Sequence, residues 1–190
     1  VTPELESEIR NKVLLKNNIN GYYINRKIFF NNKYLKHSNA FPNWNIRLFK
    51  KDAGVVYKDK INEHPIFDMP KIGFVKNGYL LHKNRNENIH FLNKHQRYAK
   101  LEAERLKEQR INKQTAFLQL FSLDPITRKQ SLREYIFCYI PLKHVCYFIY
   151  LYIFKLGILD GYSGLIYCIH KAKFIKLIDK SIKYQFIAYV

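Results

Sequence analysis

Acidic residues are scarce in this chain of 190 residues: 15 stand against 33 lysines and arginines, a formal net charge of +18. A surface so biased attracts phosphates, whether they belong to nucleic acid, anionic lipid or a nucleotide-linked substrate, and charge alone does not choose among them. Richness in Lys, Asn, Ile and Tyr is also something the base composition of a source genome imposes, so charge carries little weight by itself. Cysteine is scarce too. Cys138, Cys146 and Cys168 are odd in number, widely spaced and set among aromatic and aliphatic neighbours. They read as buried thiols in a reducing compartment, against a disulfide framework or a zinc site. Long apolar runs are lacking: Leu142 to Leu156 falls short of the roughly 20 residues a spanning helix needs. The opening VTPELESEIR is acidic and polar where a signal peptide needs a basic start and an apolar run. An initiator Met is missing, as expected of a processed chain or of one that starts inside a longer protein.

What is present suffices for a core. Apolar residues make up 47% of the chain, enough for one domain of ordinary size or half of a larger one. Thr2 is placed to cap a first helix, Pro3 suits its first position, Glu4, Glu6 and Glu8 complement its dipole, and Leu5, Ile9 and Val13 share a face. The aromatic and β-branched run YYINRKIFF, bounded by Gly21 and by Asn31 and Asn32, predicts a hairpin of strands over Tyr22 to Phe30 and Lys33 to His37. Asn45 to Lys50 alternates as a strand, with Ile46 and Leu48 on one side and Arg47 and Phe49 on the other. A further strand is expected over Gly73 to His82. Asn86 to Arg110 is the clearest helix, with Ile89, Leu92, Ala99, Ala103 and Leu106 at helical spacing; Lys100, Glu104, Arg105, Glu108 and Arg110 make its solvated face. Another helix is expected from Asp124 to about Tyr139, ending at Pro141. The organisation is then 1–85, a first helix and short strands; 86–122, an amphipathic helix and connector; and 123–190, an aromatic, basic helical tail.

The stretch from Phe41 to His82 gathers aromatic, basic, carboxylate and imidazole groups on short segments joined by loops, where side chains can converge on a ligand. Glu63 is the candidate chemical centre, as a base, against the reading of an ordinary loop carboxylate paired with a lysine. Trp44 is a candidate for stacking on a sugar ring or for a core anchor. Arg47 suits a phosphate, or an ion pair with Asp52. His64 and His82 either touch substrate or close loop hydrogen bonds, and Lys94 and Tyr98, with Arg97, either face a ligand or belong to a solvated helix face. His90 and His95 lie on different faces of the helix and share no metal.

The last third is aromatic and apolar. From Tyr135 onward seven lysines meet only Asp160 and Asp179. An interfacial or re-entrant helix against an anionic leaflet fits that composition, and so does a buried helix pair. Gly157, Gly161 and Gly164 suit a tight reversal between apolar helices, with Asp160 capping the second.

VTPEL, GYYINRKIFFNNKYLKH, FPNWNIRLFKKDAG, INEHPIFD followed by LLH, NKHQRYAKLEAERL, and IPLKHVCYFIYLYIFKLGILDGYSG, in that order, resemble successive blocks of the C-terminal half of bacterial family 2 glycosyltransferases that extend lipopolysaccharide cores and exopolysaccharides. The resemblance covers nearly the whole chain. It implies an α/β fold of the GT-A type, α+β in the portion present here, in which short strands, a long helix and a membrane-associated tail make the acceptor side. It implies inverting transfer from a nucleotide-sugar donor to a saccharide or lipid-linked saccharide acceptor, with the catalytic domain's acceptor side over 1–85 and the base falling on Glu63; Trp44, Arg47, His64, His82, Lys94 and Tyr98 stand beside it as the candidate substrate-binding residues read from the sequence. Many relatives carry His where this chain has Asn62. The family's aspartate-rich motif, which holds a divalent metal, Mg or Mn, and its nucleotide-binding strands would lie upstream of VTPEL. The chain contains no such motif and is therefore expected to be the acceptor-side part of a truncated or split enzyme, at the cytoplasmic face of the bacterial inner membrane, peripheral or monotopic. Nucleic acid is not expected among its partners under this reading. Two other classes compete: a basic protein whose interleaved aromatic residues stack on nucleic-acid bases, and a noncatalytic membrane-surface protein.

Overall fold

A computed structural model describes residues 1–14, 18–57, 65–66, 71–83, 89–110 and 141–187, with backbone alone for 13–14, 57, 65–66, 89–94, 107–110 and 184–187. The fold mixes helices with a small sheet and divides into two compact units, Val1–Arg85 with Leu151–Tyr167, and Asn86–Tyr150 with Cys168–Val190.

The first unit opens with helix α1, Pro3–Leu14. The Leu5 N–H donates to the Thr2 hydroxyl at 3.4 Å, as the capping pattern predicts. Strand β1, Gly21–Phe30, is the centre of a four-stranded sheet. Asn31 and Asn32 both take positive φ, the backbone that a two-residue hairpin turn demands, and return the chain as β2, Lys33–Tyr34. That strand is shorter than the sequence predicts. The amides of Lys36 and His37, which would extend it, donate instead to the Asp160 carboxylate. Strand β3, Trp44–Phe49, runs antiparallel to the first half of β1, and β6, Ile72–Lys83, runs parallel to it from Gly21 to Phe29. Residues Gly21 and Phe29 each pair with two strands, so β6 holds one edge of β1 while β3 and β2 share the other. Strands β4, Val56–Tyr57, and β5, Pro65–Ile66, form a separate antiparallel pair that sequence periodicity did not reveal.

Alternation along β1 decides what lies on each side. Tyr22, Ile24, Ile28 and Phe30 are buried: the first two join Leu5 and Val75 under α1, and the last two join Leu35, Ala40 and Tyr167. The odd-numbered residues Tyr23, Asn25, Lys27 and Phe29 take the opposite face, where the aromatic groups described below collect.

The reversal between the apolar segments belongs to this unit. A π-helical stretch, Tyr150–Phe154, leads through Leu156, held at φ 54°, into a 3-10 turn at Gly157–Asp160 and then into a long helix, Gly161–Ile187. Gly164 approaches Gly157 so closely that a Cβ there would stand 2.2 Å from the Gly157 carbonyl oxygen.

In the second unit, helix α2 is Ile89–Arg110, α3 is Lys143–Ile149, and α4 is the Gly161–Ile187 helix, which contributes its residues from Cys168 onward. Ala99, Leu106, Ile175 and Ile178 form the core, and Ala103 is fully buried, the stripe expected from helical spacing. Two expectations fail here. Arg105 is half-buried and pairs at 3.0 Å with the buried carboxylate of Glu102, one turn earlier, rather than lying on an open face. Cys146 is exposed, because α3 buries none of its residues; among the described residues Cys168 is the buried thiol. Asp179 binds the Lys143 ammonium at 2.8 Å. Cys138 and the helix expected over 124–139 lie outside the described residues. Among the described residues no single helix is long and apolar enough to cross a membrane; Lys143–Phe154 and Gly157–Lys183 pass together, as a bent pair, by length and composition.

Candidate functional site

The odd face of β1 forms the floor of an open cleft of about 360 Å³, lined by Asn25, Phe41, Pro42, Trp44, Phe74, Lys76 and Tyr79. Its walls are rings held by other rings. Trp44 meets Phe74 edge-on at 5.3 Å, Phe74 stacks on Tyr23 at 5.2 Å, and Phe41 packs edge-on against both Tyr34 and Tyr79. Lys27 places its ammonium 3.7 Å from the Tyr79 ring centre. Trp44 and Phe74 remain 37% and 46% exposed, so the rings stay partly open to solvent instead of closing a core.

Polar anchoring is sparse and specific. The buried Asn25 side chain accepts the Asn43 N–H at 2.8 Å, which fixes the turn after the cis Phe41–Pro42 peptide. Lys76 and Tyr79 reach the cleft because β6 bulges there: Ile24 pairs with Val75 but Arg26 with Leu80, leaving four residues of β6 opposite one of β1. The bulge frees amides, and α1 satisfies them. The Glu8 carboxylate accepts the N–H groups of Lys76 and Asn77, and the Thr2 hydroxyl accepts that of Tyr79 at 3.3 Å. The Tyr79 amide, part-buried, is the one that would be costly to leave without a partner.

Two guanidinium groups lie within electrostatic reach of one another. Burial, and then the charge of Arg47, pull the Arg26 pKa below its ordinary value, with Tyr167 acting the other way. The Arg26 Nε is buried with no hydrogen-bond partner among the described residues. Arg47 occupies a bulge of its own in β3, between the partners of Tyr22 and Tyr23, and is exposed; an Arg47–Asp52 ion pair is not among those of the described residues. Burial, then Tyr79 and Asp160, raise the Tyr34 pKa.

Of the residues singled out in the sequence, Trp44 lines the cleft. Arg47 lies on the same sheet, and His82 is exposed near the end of β6. Lys94 and Tyr98 belong to α2, in the second unit. Glu63 and His64 lie outside the described residues, in the chain between β4 and β5. Asn25, Phe41, Phe74, Lys76 and Tyr79 were missed as a group. Their signal was the two-residue periodicity of YYINRKIFF together with Gly78, whose positive φ marks the bulge. Among the described residues no group of three or more His, Cys, Asp or Glu is arranged to hold a metal ion. No family model, curated protein or solved structure matches the chain.

Proposed function

We propose that this cleft is the acceptor-saccharide subsite of a family 2 glycosyltransferase, of which this chain is the acceptor-side portion. The observation that carries the reading is the pairing of partly exposed aromatic rings, Trp44 and Phe74, with a few polar lining groups, Asn25, Lys76 and the Tyr79 hydroxyl. A pyranose presents a patch of C–H groups to a ring and hydroxyls at its edge, and it requires such a mixture. In this reading Glu63 takes the proton from the attacking acceptor hydroxyl. Arg47 attracts the phosphates of the nucleotide-sugar donor. The Mg or Mn ion that the resemblance implies finds no ligand set among the described residues, and it belongs with the donor-binding half.

Trp44 is the only tryptophan, so its emission reports the cleft alone. Titration of the chain with lipopolysaccharide core oligosaccharide should give a saturable change in that emission. By calorimetry, Trp44→Ala or Lys76→Ala should weaken binding about tenfold, equivalent to roughly 1.4 kcal/mol. An emission that does not respond, or that responds equally to a single-stranded oligonucleotide in a strongly salt-dependent way, removes the saccharide reading.

A further inference from the structure

A second surface of the first unit has a chemistry that the cleft does not use. Ile153, Phe154, Leu156, Ile158, Leu159 and Tyr162 are all between 49% and 73% exposed, on ten consecutive residues that include the reversal. Such a concentration of uncovered apolar groups is far from the scattered exposure normal on a soluble surface. The apex is also firmly mounted. Asp160, only 3% exposed, accepts the Lys36 N–H at 3.1 Å and the His37 N–H at 2.9 Å, the Ser38 N–H donates to the Lys155 carbonyl at 2.9 Å, and the Lys33 ammonium donates to the Asp160 carbonyl at 2.9 Å. Four hydrogen bonds thus tie the reversal to the β1–β2 hairpin and the loop that follows it.

We infer that this apex is a lipid-insertion wedge that seats the first unit on an anionic bilayer. Charge selects the occupant. Asp160 is the only carboxylate between Leu151 and Tyr167, and its burial leaves the apex with no exposed anionic group. Lys33, Lys36 and Lys155 are exposed at its base, at the level where lipid phosphates meet a wedge whose apolar tip is in the acyl boundary. A second copy of a chain carrying +18 brings net like charge to the same base. The hydrogen bonds make the wedge preformed, so little ordering entropy is lost when it inserts.

The test is co-sedimentation of the full chain with vesicles containing about 30% phosphatidylglycerol, and with pure phosphatidylcholine vesicles. The chain should partition onto the anionic vesicles, and the Phe154→Ser, Leu159→Ser double variant should lose about tenfold or more of that binding. Both positions are exposed, so circular dichroism should be unchanged. Val56→Ser, which removes an exposed apolar group elsewhere on the unit, should bind like the wild type. Equal vesicle binding by the double variant overturns the inference. So does a wild-type chain that ignores vesicles but self-associates in solution, with the double variant monomeric, since that assigns the apex to a second copy. Tryptophan emission with saccharide is read without vesicles, so failure of the wedge and failure of the cleft are separate results.

Discussion

Gly78 lies against Leu5 so closely that a Cβ at position 78 would stand 2.2 Å from the Leu5 backbone nitrogen. Its φ of +79° is itself unfavourable for any other residue. This contact seats α1 on the β6 bulge, where Glu8 can reach the amides of Lys76 and Asn77. Gly78→Ala should therefore cost about 2–4 kcal/mol, from backbone strain and from a clash with main chain that cannot move aside. Glu8→Ala should cost less, about 0.5–1.5 kcal/mol, because the two exposed amides it leaves can turn to water. Urea unfolding measures both, and a Gly78→Ala loss below about 0.5 kcal/mol would contradict the packing.

Asp160 joins segments 123 residues apart in the chain. Asp160→Ala leaves two backbone N–H groups without their acceptor and should destabilise the first unit by about 2–4 kcal/mol. Asp160→Asn keeps one acceptor oxygen and should lose less. Amide hydrogen exchange at Lys36 and His37 is the direct readout: it should accelerate most in the Ala variant, and unchanged protection there would remove the latch.

In the second unit, burial, followed by the positive charge of Lys173 and by His95, lowers the His170 pKa below its ordinary value of about 6.5. The unfolded chain therefore binds more protons at this site than the folded one between the two pKa values, and stability rises with pH across that window. The gain is complete above about pH 6.5 and is lost as pH falls through the lowered folded value. His170→Gln should flatten this part of the profile in paired urea titrations near pH 5 and pH 7.5. A slope unchanged by the substitution would show that other groups produce it.

Much of the fold was legible where the signal is local. The stripe of Ala99, Ala103 and Leu106 follows from helical spacing, the hairpin turn from Asn31-Asn32, and the start of α1 from Thr2 and Pro3. The candidate site was legible only in part. Trp44 stands out because a lone tryptophan on a short strand is conspicuous, whereas Asn25 and Tyr79 become neighbours only once β1 and β6 pair. Asp160 read as a helix cap because its sequence neighbours are glycines and a helix follows; its carboxylate serves backbone amides that no local pattern points to. Cys146 read as buried because its neighbours are apolar, yet α3 turns only part of its surface to the core, packing Tyr147 against it and leaving Cys146 exposed.

By itself the sequence determined the charge, the apolar share, the two-residue alternation of β1 and the helical stripe of α2, because these depend on residues within a turn or two of one another. Tertiary structure alone decided that β6 runs parallel to β1 with a bulge at Lys76 to Tyr79, that α1 supplies the acceptors the bulge needs, and that the reversal is tied to the β1–β2 hairpin. Register and long-range hydrogen bonds are choices among many pairings of similar local propensity. They are settled by which arrangement buries Leu5, Ile24 and Val75 together while leaving the backbone groups around them satisfied.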